Sequence, residues 1–303
     1  MSYATSASAS RPYGVQRVCR TWEQPRSSFY AARQPGQPGV ACAPPGKRGP
    51  RTVLSDLALL GLINADRDPS PFQGEGHRKL WARLRVRDGV RAGRKRVLRI
   101  MRDNHLLSPF RGRRGSAVLH EGQIVTPAPD LMWCTDGARV FTVGEGWVWV
   151  FVAAERRNAE YVGWHVCKQG TRYAALEPIC QGLMATAGTV GSDVGRGLSL
   201  RMDHGTQYLS DHFLNQLRYW GILPSFVFIE QPQTNGVAER FNRTLKEQAI
   251  HGRLFHTVED VRSAVADFVE RYNDQWLVEK NGFKSPRQAR RDWQNGGDLL
   301  RAA

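Results

Sequence analysis

The chain has 303 residues, 41% of them hydrophobic and 10% aromatic, which is enough for a buried core and excludes a purely disordered or fibrous protein. Lys+Arg number 43 against 28 Asp+Glu, a formal charge of +15. Residues 1–120 hold 23 basic against 7 acidic side chains and residues 121–303 hold 20 against 21, so the whole excess is N-terminal. A near-neutral body with a basic N-terminal region suits a polyanion, because neutralising phosphates releases condensed counterions; a merely solvated basic surface is the alternative.

Cys19, Cys42, Cys134, Cys167 and Cys180 are scattered with no CxxC pair, which favours a reducing compartment over a disulfide framework. The Ser/Ala-rich opening SYATSASASRP lacks the apolar core of a secretory signal and reads as a disordered start. The longest apolar runs, such as WVWVFVAA at 147–154, are too short to span a bilayer, so no membrane role is expected.

Residues 1–33 read as a short helical segment, two brief helices broken at Gln24-Pro25, and residues 34–51 as a Pro/Gly-rich linker. Residues 52–107 read as a helix-turn-helix DNA-binding region. VLSDLALLGLINA forms an apolar helix, GHRKLWARLRV follows with Leu80 and Leu84 on one face, and GRKRVLRIMRDNHLL comes after Asp88-Gly89. On this last helix Val97, Ile100 and Met101 point inward, while Arg94, Lys95, Arg96, Arg99 and Arg102 point outward as candidate DNA contacts. The competing reading is a small helical bundle whose arginines only solvate its surface.

After a linker at 108–126, residues 127–290 form the main domain and 291–303 a tail. LMWCTDGARVF, WVWVFVAAE and EYVGWHVC read as three antiparallel strands, with Gly144, Gly146 and RRNA as the hairpin turns. A helix at about 172–186, the strand LSLRMD, the helix SDHFLNQLRYWG, the strand PSFVFI and the helix GVAERFNRTLKEQAI follow, which implies an α/β fold with a mixed five-stranded sheet flanked by helices. The last long helix opens at Thr257-x-x-Asp260 and buries Val261, Val265, Phe268 and Tyr272.

Three acids stand out. Asp136 lies mid-strand among apolar neighbours, where a lone carboxylate is costly without a counter-charge. Asp203 ends a strand, where open α/β sheets gather ligands, and Glu239 sits in the first turn of a helix, with 35 residues between them. Three converging carboxylates suit two-metal phosphodiester transfer.

WCTD, DHGTQYLS and NGVAERFNRTLK, in this order and spacing, resemble the retroviral-integrase-type DDE catalytic core. Within it the chain is most similar to the second-reading-frame transposases of two-frame bacterial insertion sequences. The likeness extends to GHRKLWARLR and to the tail YNDQW…GFKSPRQA, over roughly residues 52–290.

The resemblance implies a ribonuclease H-like core and a transposase that cleaves DNA and joins it to new sites. Asp136, Asp203 and Glu239 would be both catalytic residues and metal ligands for two Mg2+ ions, with Mn2+ able to substitute. Gly205, Gln207 and Tyr208 match the turn after the second acid, where Gly205 is expected to give backbone freedom. Asn235 and Gly236 match the loop before the catalytic helix. Arg243 and Lys246, four and seven positions beyond Glu239, are expected to meet a DNA phosphate, with an intrahelical pair to Glu239 as the alternative. The partners implied are double-stranded DNA, further copies of the chain on that DNA, and the upstream-frame protein, in the bacterial cytoplasm and nucleoid.

Three departures qualify the likeness. Ala154-Glu155 stands where relatives commonly carry an Asp, Arg201-Met202 precedes Asp203 in place of small polar residues, and Trp276-Leu277-Val278-Glu279 replaces an Arg-Pro-His run, which puts the C-terminal DNA contacts in question. His77 and His105 have no CxxC partner, so no zinc domain of the retroviral kind is expected. An inactive DNA-binding regulator or element remnant is the alternative from another class, and a structure-specific nuclease a third reading.

Overall fold

The computed structural model describes residues 4–33, 53–109, 124–227 and 236–296. Two compact units divide at Val53/Leu54. The linker expected at 34–51 and most of the one at 108–126 lie outside the described residues, as does Asn235.

In the first unit, Gly14–Thr21 (α1) and Arg26–Ala31 (α2) form the expected helix pair, broken at Gln24-Pro25. The Ser/Ala-rich opening is not structureless, in contrast to its composition: Thr5 and Pro12 form an antiparallel bridge closed by Tyr13 N donating to Ala4 O at 3.0 Å.

The second unit begins with three helices, Asp56–Arg67 (α3), His77–Val86 (α4) and Arg94–Asp103 (α5). Ser55 caps α3 by accepting from Ala58 N at 3.1 Å. Leu59, Ile63, Leu80, Leu84, Val97, Ile100 and Met101 are all buried in one small core, as their spacing of three and four dictates. The three helices are also tied by charge. Arg83 bonds both oxygens of Asp66 at 3.0 and 2.9 Å and reaches Glu75 at 2.7 Å, with both carboxylates buried.

The five strands are Met132–Thr142 (β1), Gly146–Glu155 (β2), Glu160–Cys167 (β3), Ser199–Met202 (β4) and Leu223–Phe226 (β5), ordered β3-β2-β1-β4-β5. β1 to β3 are antiparallel, whereas β4 pairs parallel with β1 and β5 with β4. Arg172–Ala187 (α6) and Asp211–Tyr219 (α7) cover one face, and Gly236–Leu245 (α8) and Val258–Gln275 (α9) the other. Pro286–Gln294 (α10) follows. This is the expected α/β fold, a mixed five-stranded sheet flanked by helices.

Alternation along β2 feeds both layers: Val148, Val150 and Val152 pack toward α8 and α9, Phe151 and Ala153 toward α6 and α7. Helix α6 lies so close to β3 that a Cβ at Gly163 would strike the Pro178 carbonyl. Thr257 and Asp260 close a full capping box at the start of α9, whose Val261, Val265, Phe268 and Tyr272 are buried. The catalytic-helix segment is not uniform, since it widens from α8 into a π-helical turn at Lys246–Ile250.

Candidate active site

Asp136 is the fifth residue of β1, and Asp203 immediately follows β4, the parallel neighbour of β1. Parallel pairing of Cys134 with Arg201 therefore brings the two acids side by side, Asp136 within β1 and Asp203 just past the end of β4. Asp136 Oδ1 accepts from Gly137 N at 2.8 Å and its Oδ2 accepts from Asn242 Nδ2 of α8 at 2.6 Å. Burial, reinforced by the nearby charge of Asp203, pushes the Asp136 carboxyl up to about 6 even though Asn242, Gly137 and Lys246 favour its charged form.

Asp203 Oδ1 accepts from Gly205 N at 2.9 Å, an Asx turn that lifts the chain off the strand. The backbone freedom expected of Gly205 is not what the turn uses, because its φ is not positive. It supplies room instead: a Cβ there would lie 3.0 Å from Asp203 Oδ1. Tyr208 is buried edge-on against Phe213, ring centroids 5.3 Å apart, so it anchors the turn in the core. The Gln207 carbonyl accepts from the Ser210 hydroxyl at 2.9 Å, just before α7.

Glu239 lies in the first turn of α8 and is exposed. Asn242, one turn further on, is buried and holds this helix against Asp136. Even so, among the described residues no three His, Cys, Asp or Glu side chains converge closely enough to hold a metal ion. The structure thus brings Asp136 and Asp203 together and leaves Glu239 beside them on the helix. Two neighbouring carboxylates, of which Asp136 is pushed up by burial and by the charge of Asp203, without an ion-paired partner among the described residues, form a hard-oxygen donor set that fits a divalent cation.

Gly236 opens α8 and is half-buried. Arg243 is exposed and Lys246 half-buried at the start of the π-helical turn; neither forms an ion pair with Glu239. On α5, Lys95 and Arg102 are exposed, whereas Arg94 reaches Glu279 at 3.9 Å. Arg96 corrects the outward assignment. It is half-buried, donating to Asp56 at 2.8 Å and to the Leu54 carbonyl at 2.6 Å, so it fastens α5 to the start of α3. Arg99 also pairs with Asp56, at 2.5 Å.

The departures acquire structural roles. Glu155 is buried and accepts from Arg157 N and Asn158 N, capping the β2–β3 turn. Arg201 is buried and donates to Ser225 of β5 at 3.3 Å. Trp276 packs edge-on to Phe72 at 4.9 Å and stacks on Tyr272, and Glu279 binds Arg78 at 2.7 Å, so this tail segment docks the N-terminal three-helix part on the core. Sequence reasoning missed Asn242. The same spacing argument that selected Arg243 would have found it, since i+3 from Glu239 shares that face.

The family comparisons agree with this layout. The integrase core domain family matches residues 221–291, which include Glu239, and an HTH-like domain family matches residues 74–114. The transposase for insertion sequence element IS629 of Shigella sonnei is 26% identical over 290 residues, 91% of each chain. Transposase InsD of insertion element IS2 from Escherichia coli is 28% identical over 225 residues, 70% of this chain and 72% of that one. Among solved structures, the catalytic core domain of BIV integrase aligns with a TM-score of 0.41 at 21% identity, covering 55% of this chain and 97% of that one. The chain thus carries matches to an HTH-like domain and to an integrase core domain, and it is similar to an insertion-sequence transposase over nine tenths of its length.

Proposed function

We propose that this chain cuts the ends of an insertion element and joins them to target DNA, using Asp136, Asp203 and Glu239 as the ligands of two divalent cations, Mg2+ with Mn2+ as a substitute. The observation that supports the site assignment is the juxtaposition of Asp136 on β1 with Asp203 just past the end of its parallel neighbour β4, where the charge of Asp203 opposes ionisation of Asp136. Bound cations supply activation of the attacking oxygen and stabilisation of the leaving one. The chain's own part is to hold the reacting groups. Asp136 is fixed by Asn242 and Gly137, Asp203 by its Asx turn, and Glu239 would complete the set from the first turn of α8.

In the first step water attacks an end phosphodiester and a 3′-hydroxyl leaves; in the second that hydroxyl attacks a target phosphodiester and displaces another 3′-oxygen. Lys95, Arg99 and Arg102 on α5, Arg94 beside Glu279, and Arg243 with Lys246 on the catalytic helix are the proposed backbone contacts to double-stranded DNA. The protein would act as an oligomer of this chain on DNA, with the upstream-frame protein as a further partner, in the bacterial cytoplasm and nucleoid. No helix among the described residues is long and apolar enough to cross a membrane.

The test is incubation of the purified protein with labelled DNA carrying the flanks of its own gene and Mg2+. Joined products support a transposase; nicks without joining indicate a nuclease; binding with neither product indicates a regulator.

A further inference from the structure

Near its turn the β1–β2 hairpin is covered on one face only. Val140, Val148 and Val150 are buried against α9 and its neighbours. On the opposite face, beyond buried Phe151, Arg139, Phe141 and Trp147 are exposed and Trp149 is half-buried. Strand register places Phe141 opposite Trp147 and Arg139 opposite Trp149. Phe141 and Trp147 are 55% and 58% exposed and meet edge to face with centroids 5.5 Å apart. The Arg139 guanidinium sits 5.6 Å from the centroids of both Trp147 and Trp149, and Trp149 stacks in parallel on buried Phe151 at 5.5 Å.

The surface continues onto α6. The segment entering that helix lies on Trp149 so closely that a Cβ at Gly170 would overlap the indole. Tyr173, 57% exposed, follows with Arg172 at 5.6 Å from its ring centroid. Neither Arg139 nor Arg172 has an ion-pair partner among the described residues. Exposed rings interleaved with uncompensated guanidinium groups suit a ligand that offers both planar π faces and negative charge.

We infer that Arg139, Phe141, Trp147, Trp149, Arg172 and Tyr173 form a stacking platform for unpaired nucleotides of the DNA substrate. Duplex DNA offers phosphates and groove edges, its base faces being stacked on one another, whereas an unpaired strand offers the faces themselves. The platform lies near the candidate active site but on the other face of the sheet. Arg139 is three residues, about 10 Å, along β1 from Asp136, on the other side of the pleat, and Tyr208 of the turn after Asp203 packs into the same layer as Phe151. This inference rests on the reading of the chain as a DNA enzyme.

The experiment is binding by the full chain, with chelator present so that no chemistry occurs, to a labelled oligothymidine strand and to a duplex of equal length at one salt concentration. Trp147→Ala and Phe141→Ala should each weaken single-strand binding at least about fivefold, the lower bound for loss of one stacked base, and leave duplex binding unchanged. Trp147→Phe should retain most of the affinity, and the quenching of tryptophan fluorescence by the oligothymidine should shrink in Trp147→Ala. Thermal melting of each variant guards against unfolding, which the exposure of these side chains makes minor. Equal losses on both DNA forms, no loss on either, or a change in sedimentation alone would overturn the platform, the last marking the face as a contact between copies. Wild-type protein that bound duplex but no single strand would sink this inference and spare the proposed function. Failure to bind either form would remove both.

Discussion

Asn242 Nδ2 donates to Asp136 Oδ2 at 2.6 Å, joining the catalytic helix to the central strand across 106 residues of chain. Asn242 is buried and lies one turn beyond Glu239, so the bond that orients the first acid is made by the helix that carries the third. Asn242→Ala should lower divalent-cation affinity by about 10- to 100-fold, the usual cost of losing a partner behind a metal ligand. Duplex affinity in chelator should stay at the wild-type value. Mn2+ titration and binding measured side by side check this, and unchanged cation affinity would remove Asn242 from the site.

Glu239→Gln should abolish cleavage and joining while leaving the melting temperature close to wild type. Glu239 is exposed and makes no ion pair among the described residues, and surface substitutions usually move stability by no more than about 0.5 kcal/mol. Joined products above background from this variant would count against the triad.

Asp136 should make the metal-free protein less stable at neutral than at mildly acid pH. Its carboxyl rises from an ordinary 3.8 to about 6, so its neutral form is favoured in the fold: this contribution is fully present below about 4 and is lost as pH rises through 6. At 1.36 kcal/mol per unit the loss amounts to at most about 3 kcal/mol. Asp136→Asn should therefore melt higher than wild type at pH 7.5 in chelator, with the gap closing near pH 4, while losing all cleavage. A lower melting point at pH 7.5 would mean the carboxylate is stabilising as it stands.

Arg83→Met should be among the most destabilising changes in the N-terminal helices. It removes the shared partner of Asp66 and Glu75, whose side chains are 1% and 4% exposed, leaving them only Arg87 and Lys79 among the described cations. Breaking a buried pair from one side costs about 3–5 kcal/mol. Replacing Asp66, Glu75 and Arg83 together with apolar residues should cost much less. Urea denaturation of the three proteins distinguishes these cases.

Arg243→Ala combined with Lys246→Ala should weaken duplex binding and flatten its salt dependence by up to about 0.9 in log–log slope for each lost phosphate contact. Neither side chain is buried, so melting should barely change. The same measurement on Lys95→Ala and Arg96→Ala should separate the two: Lys95 is exposed and should alter the slope, whereas Arg96, held by Asp56 and Leu54, should lower the melting temperature.

What was legible in the sequence is what repeats locally. The spacing of Leu80 and Leu84, the inward face of Val97, Ile100 and Met101, and the Thr257–Asp260 box all appear where short-range period and capping chemistry put them. The three antiparallel strands and the mixed character of the sheet followed from hairpin and crossover signals. The assignment of Arg96 to solvent failed for a definable reason. Helical phase says which way a side chain leaves its own helix, but not that Asp56, 40 residues earlier, waits there as a partner.

The sequence by itself determined the elements, the two faces of the sheet and the identities of the candidate metal ligands, because periodicity, caps and chain order are written in neighbouring residues. Tertiary structure decided which of those side chains meet. The Asn242 bond to Asp136, the Arg83 ion cluster, the docking of Glu279 on Arg78 and the exposed Arg139–Trp147 face each depend on how separate elements cross. A fraction of a turn or one residue of register makes or removes such contacts, and no local pattern specifies either.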